Sequence, residues 1–120
     1  MAYDPSTGAW VEELLGGVGP VTLRRMFGAA GVYKDGLMFG IIDDEVLYLR
    51  TDEQTIEAFR EAGAQPFTYR ARDRGEVVTG YWSLPDTAAD DADEAARWAR
   101  AAIEAALRKA SRPSRRRTAG

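Results

Sequence analysis

The part of the chain best suited to binding chemistry combines cationic, aromatic and methionine side chains in one short segment: Arg24, Arg25, Met26, Phe27, Tyr33 and Lys34. Guanidinium and ammonium groups bind carboxylates and other anions, and methionine adapts its shape to line a groove for a partner. The segment therefore predicts contact with another protein. For Met26 and Phe27, as for Met38 and Phe39, packing in a hydrophobic core is the favoured alternative.

Arg24 and Arg25 are neighbours in a run of β-prone residues. Successive side chains of a strand point to opposite faces of the sheet, so the two guanidinium groups cannot both be buried in one layer. We expect one of them to pair with an acidic neighbour. Binding of a partner or an anion is the other role open to them.

The same part of the chain contains four glycines, at positions 28, 31, 36 and 40. Glycine tolerates positive φ and close backbone approach, and glycine-rich loops also cradle phosphates at helix N-termini. The spacing matches neither the dinucleotide-binding pattern nor the P-loop pattern. The glycines therefore predict turns and bulges, and the sequence predicts no cofactor.

Catalytic chemistry has little support in the composition. The chain has no histidine and no cysteine, which removes the commonest general base and the thiolate nucleophile. Two acidic groups, at 43–45 and 90–94, lack the spacing of a calcium loop, and solvated turns and a helix start explain them better. We expect a protein that is not an enzyme and binds no metal.

Charge is distributed unevenly along the chain. Residues 108–120 hold six basic and no acidic residues, whereas residues 1–107 hold 10 basic and 19 acidic residues and carry a net charge of −9. Residues 111–120 have no large apolar side chain and are predicted to be a disordered basic tail. The arginines of this tail are Arg112, Arg115, Arg116 and Arg117. One role for them is weak, sequence-independent binding of nucleic acid. A solubilising tail that folds back on the acidic body is favoured over that role.

Residues 1–110 are predicted to form one domain, because a chain of 120 residues suffices for a single core. The acidic stretch at 86–94 is predicted to be a polar connection into the last helix. No apolar run approaches the length of a membrane span, and no leader pattern opens the chain. We expect a cytoplasmic protein without membrane contact.

Periodicity predicts an α+β domain with the order helix, three strands, helix, two strands, helix. A first helix capped by Ser6 precedes strands at 20–27, 37–42 and 46–50. Thr51 to Gln54 fit a capping box for a short helix that ends near Gly63. Strands at 66–70 and 77–84 precede a final helix at 93–110 with an alanine-rich apolar face.

This order accompanies several particular segments: Arg-Arg-Met-Phe-Gly at 24–28, Gly-Val-Tyr-Lys-Asp-Gly-Leu-Met-Phe-Gly at 31–40, Leu-Tyr-Leu-Arg at 47–50, Pro66-Phe67 and Tyr81-Trp82. Together they resemble the N-terminal domain of the TfoX/Sxy family over residues 8 to 107. The resemblance implies a two-layer, antiparallel α+β fold similar to that of secretion chaperones. It also implies a regulatory role in bacterial competence and transformation, through contacts with a transcription factor.

Two functions from different classes follow from this combination. The first is a regulatory or adaptor domain that binds another protein, with a place in transcription regulation. The second is a self-associating module whose homodimer forms a groove for a peptide or small ligand.

Overall fold

A computed structural model describes residues 4–111 of the 120-residue chain. The chain alternates helices with antiparallel strands, and short 3₁₀ turns at Gly16–Val18 and Asp86–Ala88 connect them. The elements in order are α1 (Pro5–Leu14), β1 (Thr22–Met26), β2 (Ala29–Lys34), β3 (Leu37–Asp43), β4 (Val46–Arg50), α2 (Ile56–Glu61), β5 (Pro66–Ala71), β6 (Gly75–Ser83) and α3 (Ala92–Ser111). No helix within these residues is long and apolar enough to cross a membrane.

The six strands form one antiparallel sheet in the order β1-β2-β3-β4-β6-β5. α3 lies across β3 and β4, and one hydrophobic cluster joins side chains of α1, α2 and α3 to the strands. The helices therefore cover one face of the sheet. This confirms the predicted α+β, antiparallel, two-layer fold.

The structure adds a strand to the predicted order, because four strands and not three precede α2. The sequence predicts turns and bulges between Gly28 and Gly40, with a strand only at 37–42, yet Ala29–Lys34 pairs with both β1 and β3. Two-residue turns make this possible, since Phe27-Gly28 and Asp35-Gly36 both have the paired positive φ values of tight hairpins. Asp44-Glu45 closes the next hairpin in the same way.

Alanine residues along one side of α3 bring that helix close to the sheet. Ala95, Ala99 and Ala102 are fully buried and pack with the sheet residues Phe39, Ile42 and Leu49. Because alanine side chains are small, the backbone of α3 can lie close to the strands. The large apolar side chains of the sheet then fill the space between the helix and the sheet. The predicted alanine-rich face is therefore the main contact between the two layers.

Two of the three predicted helix starts are wrong in detail. Asp4 and not Ser6 caps α1, with its carboxylate accepting a hydrogen bond from the Ser6 backbone amide at 2.9 Å. The capping box at Thr51 does not form, because that hydroxyl donates to the Gly80 carbonyl at 2.9 Å and is almost completely buried. The N-cap position is four residues later, at Thr55, and α2 begins at Ile56.

Asp52, expected to serve the first turn of a helix, instead holds the C-terminal part of α3. Its Oδ2 accepts a hydrogen bond from Arg108 Nε at 2.6 Å, and its Oδ1 accepts a second from Nη2 at 3.1 Å. The bidentate Arg108 guanidinium, with smaller help from the Gln54 amide, holds the pKa of Asp52 below its usual value despite partial burial.

Replacement of Asp52 by asparagine is expected to destabilise the domain in a pH-dependent way. A carboxyl whose pKa is lowered on folding stabilises the protein above the unfolded-state pKa near 4, and this contribution is lost as pH falls through the folded-state value. Thermal unfolding from pH 7 down to pH 3 should show the largest difference between D52N and wild type at neutral pH. The difference should shrink below about pH 4. D90N, at an exposed position, is the control, and a D52N deficit that does not change with pH would contradict the assignment.

Candidate partner-binding site

The most unusual residue of the predicted binding segment is Phe27, at the tip of the β1–β2 hairpin. Its side chain is 97% exposed, and its backbone has φ of 52°, in the left-handed region. Core packing, the favoured interpretation for this side chain, is therefore wrong. The prediction holds for Phe39, which is completely buried.

The hairpin geometry explains why Phe27 cannot reach the core. Met26 pairs with Ala29, so Phe27 and Gly28 alone form the turn, and both need positive φ. Asparagine, aspartate or glycine normally occupies the first of these positions, since a bulky side chain there costs about 1–2 kcal/mol. Phe27 thus combines an unfavourable backbone conformation with full exposure, and neither feature helps the fold.

A shallow depression of about 310 Å³ lies at the same hairpin. Its lining residues are Arg25, Met26, Phe27, Gly28 and Ala29. Met26 is half-buried, whereas Arg25 is exposed. Apolar and cationic groups therefore meet at this tip, which is the combination that anchors protein partners.

The other predicted site residues lie away from the tip. Arg24 places its guanidinium 5.5 Å from the centre of the Tyr33 ring, and within the described residues it has no ion pair with a carboxylate. Lys34 lies at the opposite end of the hairpin, 3.9 Å from the Asp35 carboxylate. The predicted segment thus divides into a hairpin tip and a separate group on the sheet.

Arg24 and Tyr33 belong to a surface that we call the aromatic face, the face of the sheet opposite the helices. Leu23, Val32, Leu49 and Trp82 pack in the core, so strand alternation turns their neighbours to the other face. Five aromatic side chains are found there: Tyr33, Tyr48, Phe67, Tyr69 and Tyr81.

Contacts between side chains join neighbouring members of this surface. The rings of Tyr48 and Phe67 lie 4.9 Å apart, and the Arg50 guanidinium is 5.3 Å from the centre of the Tyr81 ring. Burial is the main cause of the raised pKa of Tyr81. Tyr33 lies on the same face of the sheet, with β3 and β4 between its strand and that of Tyr81.

The comparison with known families agrees with this architecture. The sequence matches the TfoX N-terminal domain over residues 13–106. That span contains all six strands of the sheet.

The chain belongs to the TfoX N-terminal domain family. A search of curated proteins found no match to this chain. The resemblance noted from the sequence is therefore confirmed at the level of the family. The hairpin tip and the aromatic face are both inside the matched region of the TfoX N-terminal domain.

Within residues 4–111, the Asp43 carboxyl group is buried without a full set of hydrogen bonds. Asp43, at the end of β3, is 6% exposed, and its Oδ1 has no hydrogen-bond partner among these residues. Burial, followed by the charge of Asp44, raises its pKa. Burial also raises the pKa of Tyr48, with Asp43 a smaller cause. Asp43 is on the same side of β3 as Ile41, at the end of the sheet that carries Phe27.

The two acidic groups at 43–45 and 90–94 lie where the sequence predicts them, at a turn and at a helix start. Asp44 and Glu45 form the β3–β4 turn, and the Asp91 carboxylate accepts a 3.0 Å hydrogen bond from the Glu94 amide at the start of α3. The arginines of the predicted basic tail, Arg112, Arg115, Arg116 and Arg117, lie outside the described residues.

The sequence interpretation missed most of the aromatic face. Tyr48, Phe67 and Tyr81 lie in predicted strands, and the sequence predicts no partner role for them. The period-2 alternation of the strands could have indicated this second face. In β4, Leu47 and Leu49 alternate with Tyr48 and Arg50. What the sequence lacks is the strand order that brings β2, β4, β5 and β6 into one sheet.

Proposed function

We propose that this TfoX N-terminal domain is an adaptor without catalytic activity that binds another protein through the β1–β2 hairpin. The observation that carries the proposal is Phe27, a 97% exposed aromatic side chain held at φ of 52°. Residues kept in costly backbone conformations occur preferentially at functional sites. Large aromatic side chains are also frequent anchors of protein interfaces.

Chemistry elsewhere in the chain supports binding more than catalysis. The sequence has no histidine and no cysteine, and the hairpin depression is shallow and lined by one cation and four uncharged residues. Such a surface holds a partner but offers no acid–base pair. A regulatory role beside a transcription factor, in competence or in other gene regulation, is the setting that the family resemblance suggests.

The Phe27→Asn variant separates binding from folding. Asparagine tolerates the left-handed region and fits the first position of this turn, so we expect F27N to raise the free energy of unfolding by about 1 kcal/mol. Urea denaturation measures this effect. The same variant should lose the partner, because the anchoring ring is gone. A variant that is less stable than wild type would contradict the strained geometry assigned to this turn.

The partner is identified by placing a photo-crosslinking amino acid at position 27 in the native host. Adducts of defined mass are expected there, and their abundance should fall when unlabelled wild-type protein, but not F27N, is added as competitor. Position 78 is the matched control, since Val78 is 64% exposed on β6. Equal adducts at positions 27 and 78 would refute the proposal. An adduct with a second copy of this chain would favour the self-associating module over the adaptor.

A further inference from the structure

The aromatic face is a second surface of this domain that the hairpin proposal does not use. The helices pack their apolar side chains into the cluster on the other face of the sheet, so within residues 4–111 no helix covers the five aromatic rings. Tyr69 is 45% exposed, and Tyr33, Tyr48, Phe67 and Tyr81 are half-buried. A sheet face that keeps this many rings in contact with solvent is an unusual use of aromatic residues.

The charge of the aromatic face is opposite to that of the rest of the domain. Residues 1–107 carry a net charge of −9. Strand alternation nevertheless places two arginines, Arg24 and Arg50, on this face, together with a single strand carboxylate, the buried Asp43. Glu76, on β6, points to the other side, where its carboxylate accepts a hydrogen bond from Thr68. The domain thus presents a small cationic surface on an acidic body.

The two arginines are placed to receive an anion. Neither guanidinium forms an ion pair with a carboxylate within the described residues. Each lies against a tyrosine ring instead, Arg24 on Tyr33 and Arg50 on Tyr81. Stacking on a ring fixes the plane of a guanidinium while N–H groups at its edge remain available for phosphate oxygens.

Cations without a carboxylate partner, lying against half-buried tyrosine rings, match the chemistry of single-stranded nucleic acid. Bases that are not paired stack on aromatic rings and on guanidinium planes, and a four-stranded sheet can hold two or three bases in this way. An acidic peptide would satisfy the arginines but leave the rings without planar partners. Duplex DNA keeps its bases stacked inside, so it cannot use the rings either.

We propose that the aromatic face binds single-stranded nucleic acid, with bases stacked on Tyr33 and Tyr69 and phosphates held by Arg24 and Arg50. Tyr33 on β2 and Arg50 on β4 are separated by one strand of the sheet, or about 10 Å. That distance is suited to a few nucleotides. The site differs from the β1–β2 tip in position and in the chemistry of its ligand.

The test is a titration of fluorescein-labelled dT12 by anisotropy at low salt. It uses the full chain with the tail arginines at 112, 115, 116 and 117 changed to glutamine, so that the predicted basic tail cannot supply the binding. In this background Tyr33→Ser should weaken binding about fivefold or more, the loss of one stacked base. Tyr33→Phe should retain the affinity, because the ring remains.

Salt dependence tests the arginines separately. A single strand loses affinity with a log–log slope of about −0.7 per phosphate contact, so Arg24→Gln should make the slope less steep by about 0.7. Arg100→Gln is the matched control, since it removes the same charge from an exposed position of α3. It should leave the slope unchanged.

Four outcomes would overturn the proposal. These are the absence of dT12 binding at low salt, binding that disappears when the tail arginines are replaced, equal affinity for duplex DNA, and equal affinity for a poly-glutamate peptide. Phe27→Asn should leave dT12 binding intact. The failure of one proposal therefore does not imply the failure of the other.

Discussion

Replacement of Phe59 by alanine is expected to lower the free energy of unfolding by about 3–5 kcal/mol. Phe59 is the completely buried residue of the short helix α2. Its ring lies 4.6 Å from that of Trp98 on α3, at an angle of 55°. Truncation removes this contact and leaves a cavity between two helices, neither of which can collapse far without leaving the sheet.

The loss is large because a domain of this size is stable by only about 5–15 kcal/mol in total. Urea denaturation should show an earlier midpoint with an unchanged slope. Phe27→Ala is the matched control, since it makes the same chemical change at a 97% exposed position, and its stability should be close to that of wild type. A cost below about 1 kcal/mol for F59A would show that α2 contributes little to the core.

Replacement of Ala99 by leucine is expected to cost about 1–3 kcal/mol, or more if the helix cannot move. Ala99 is completely buried in α3 at the contact between the two layers. A leucine side chain there needs space that the backbone of the helix and the side chains of the sheet already occupy. The result should be a lower thermal midpoint and a helix shifted away from β3 and β4.

Ala110→Leu separates this packing effect from helix propensity. Position 110 is in the same helix but is exposed, and leucine and alanine both favour helices. Its thermal midpoint should match that of wild type. If the two variants were equally stable, the small side chains of α3 would not be what sets the distance between helix and sheet.

The two proposed surfaces have different relations to stability. The hairpin tip carries a conformational cost at Phe27 that its replacement by asparagine should remove. The aromatic face is built from strand residues whose rings pack on one another, as Tyr48 and Phe67 do, so its variants affect both folding and binding. For this reason the test on that face relies on Tyr33→Phe and Arg24→Gln, which preserve most of the packing.

Local patterns in the sequence determined much of the fold. The alanine periodicity of α3, the β-branched and aromatic strands, and the glycine at the Asp35-Gly36 turn predicted an antiparallel α+β domain, which the structure shows. Period-2 alternation also required Arg24 and Arg25 to point to opposite faces. These features depend on nearest neighbours along the chain, and such patterns are visible without any tertiary contact.

Contacts between distant parts of the chain decided the rest. The sequence around Thr51 matches a local capping motif. In the structure the Thr51 hydroxyl instead donates a hydrogen bond to the Gly80 carbonyl, 29 residues away. The Asp52 carboxylate accepts a hydrogen bond from Arg108. Phe27 has a large apolar side chain of the kind that usually packs in a core. It is exposed because it lies in the two-residue turn between β1 and β2. The aromatic face likewise exists only because the strand order places Tyr33, Tyr48 and Tyr81 on the same face of one sheet. Short-range patterns specify which elements form, whereas pairing across the sheet specifies which side chains meet.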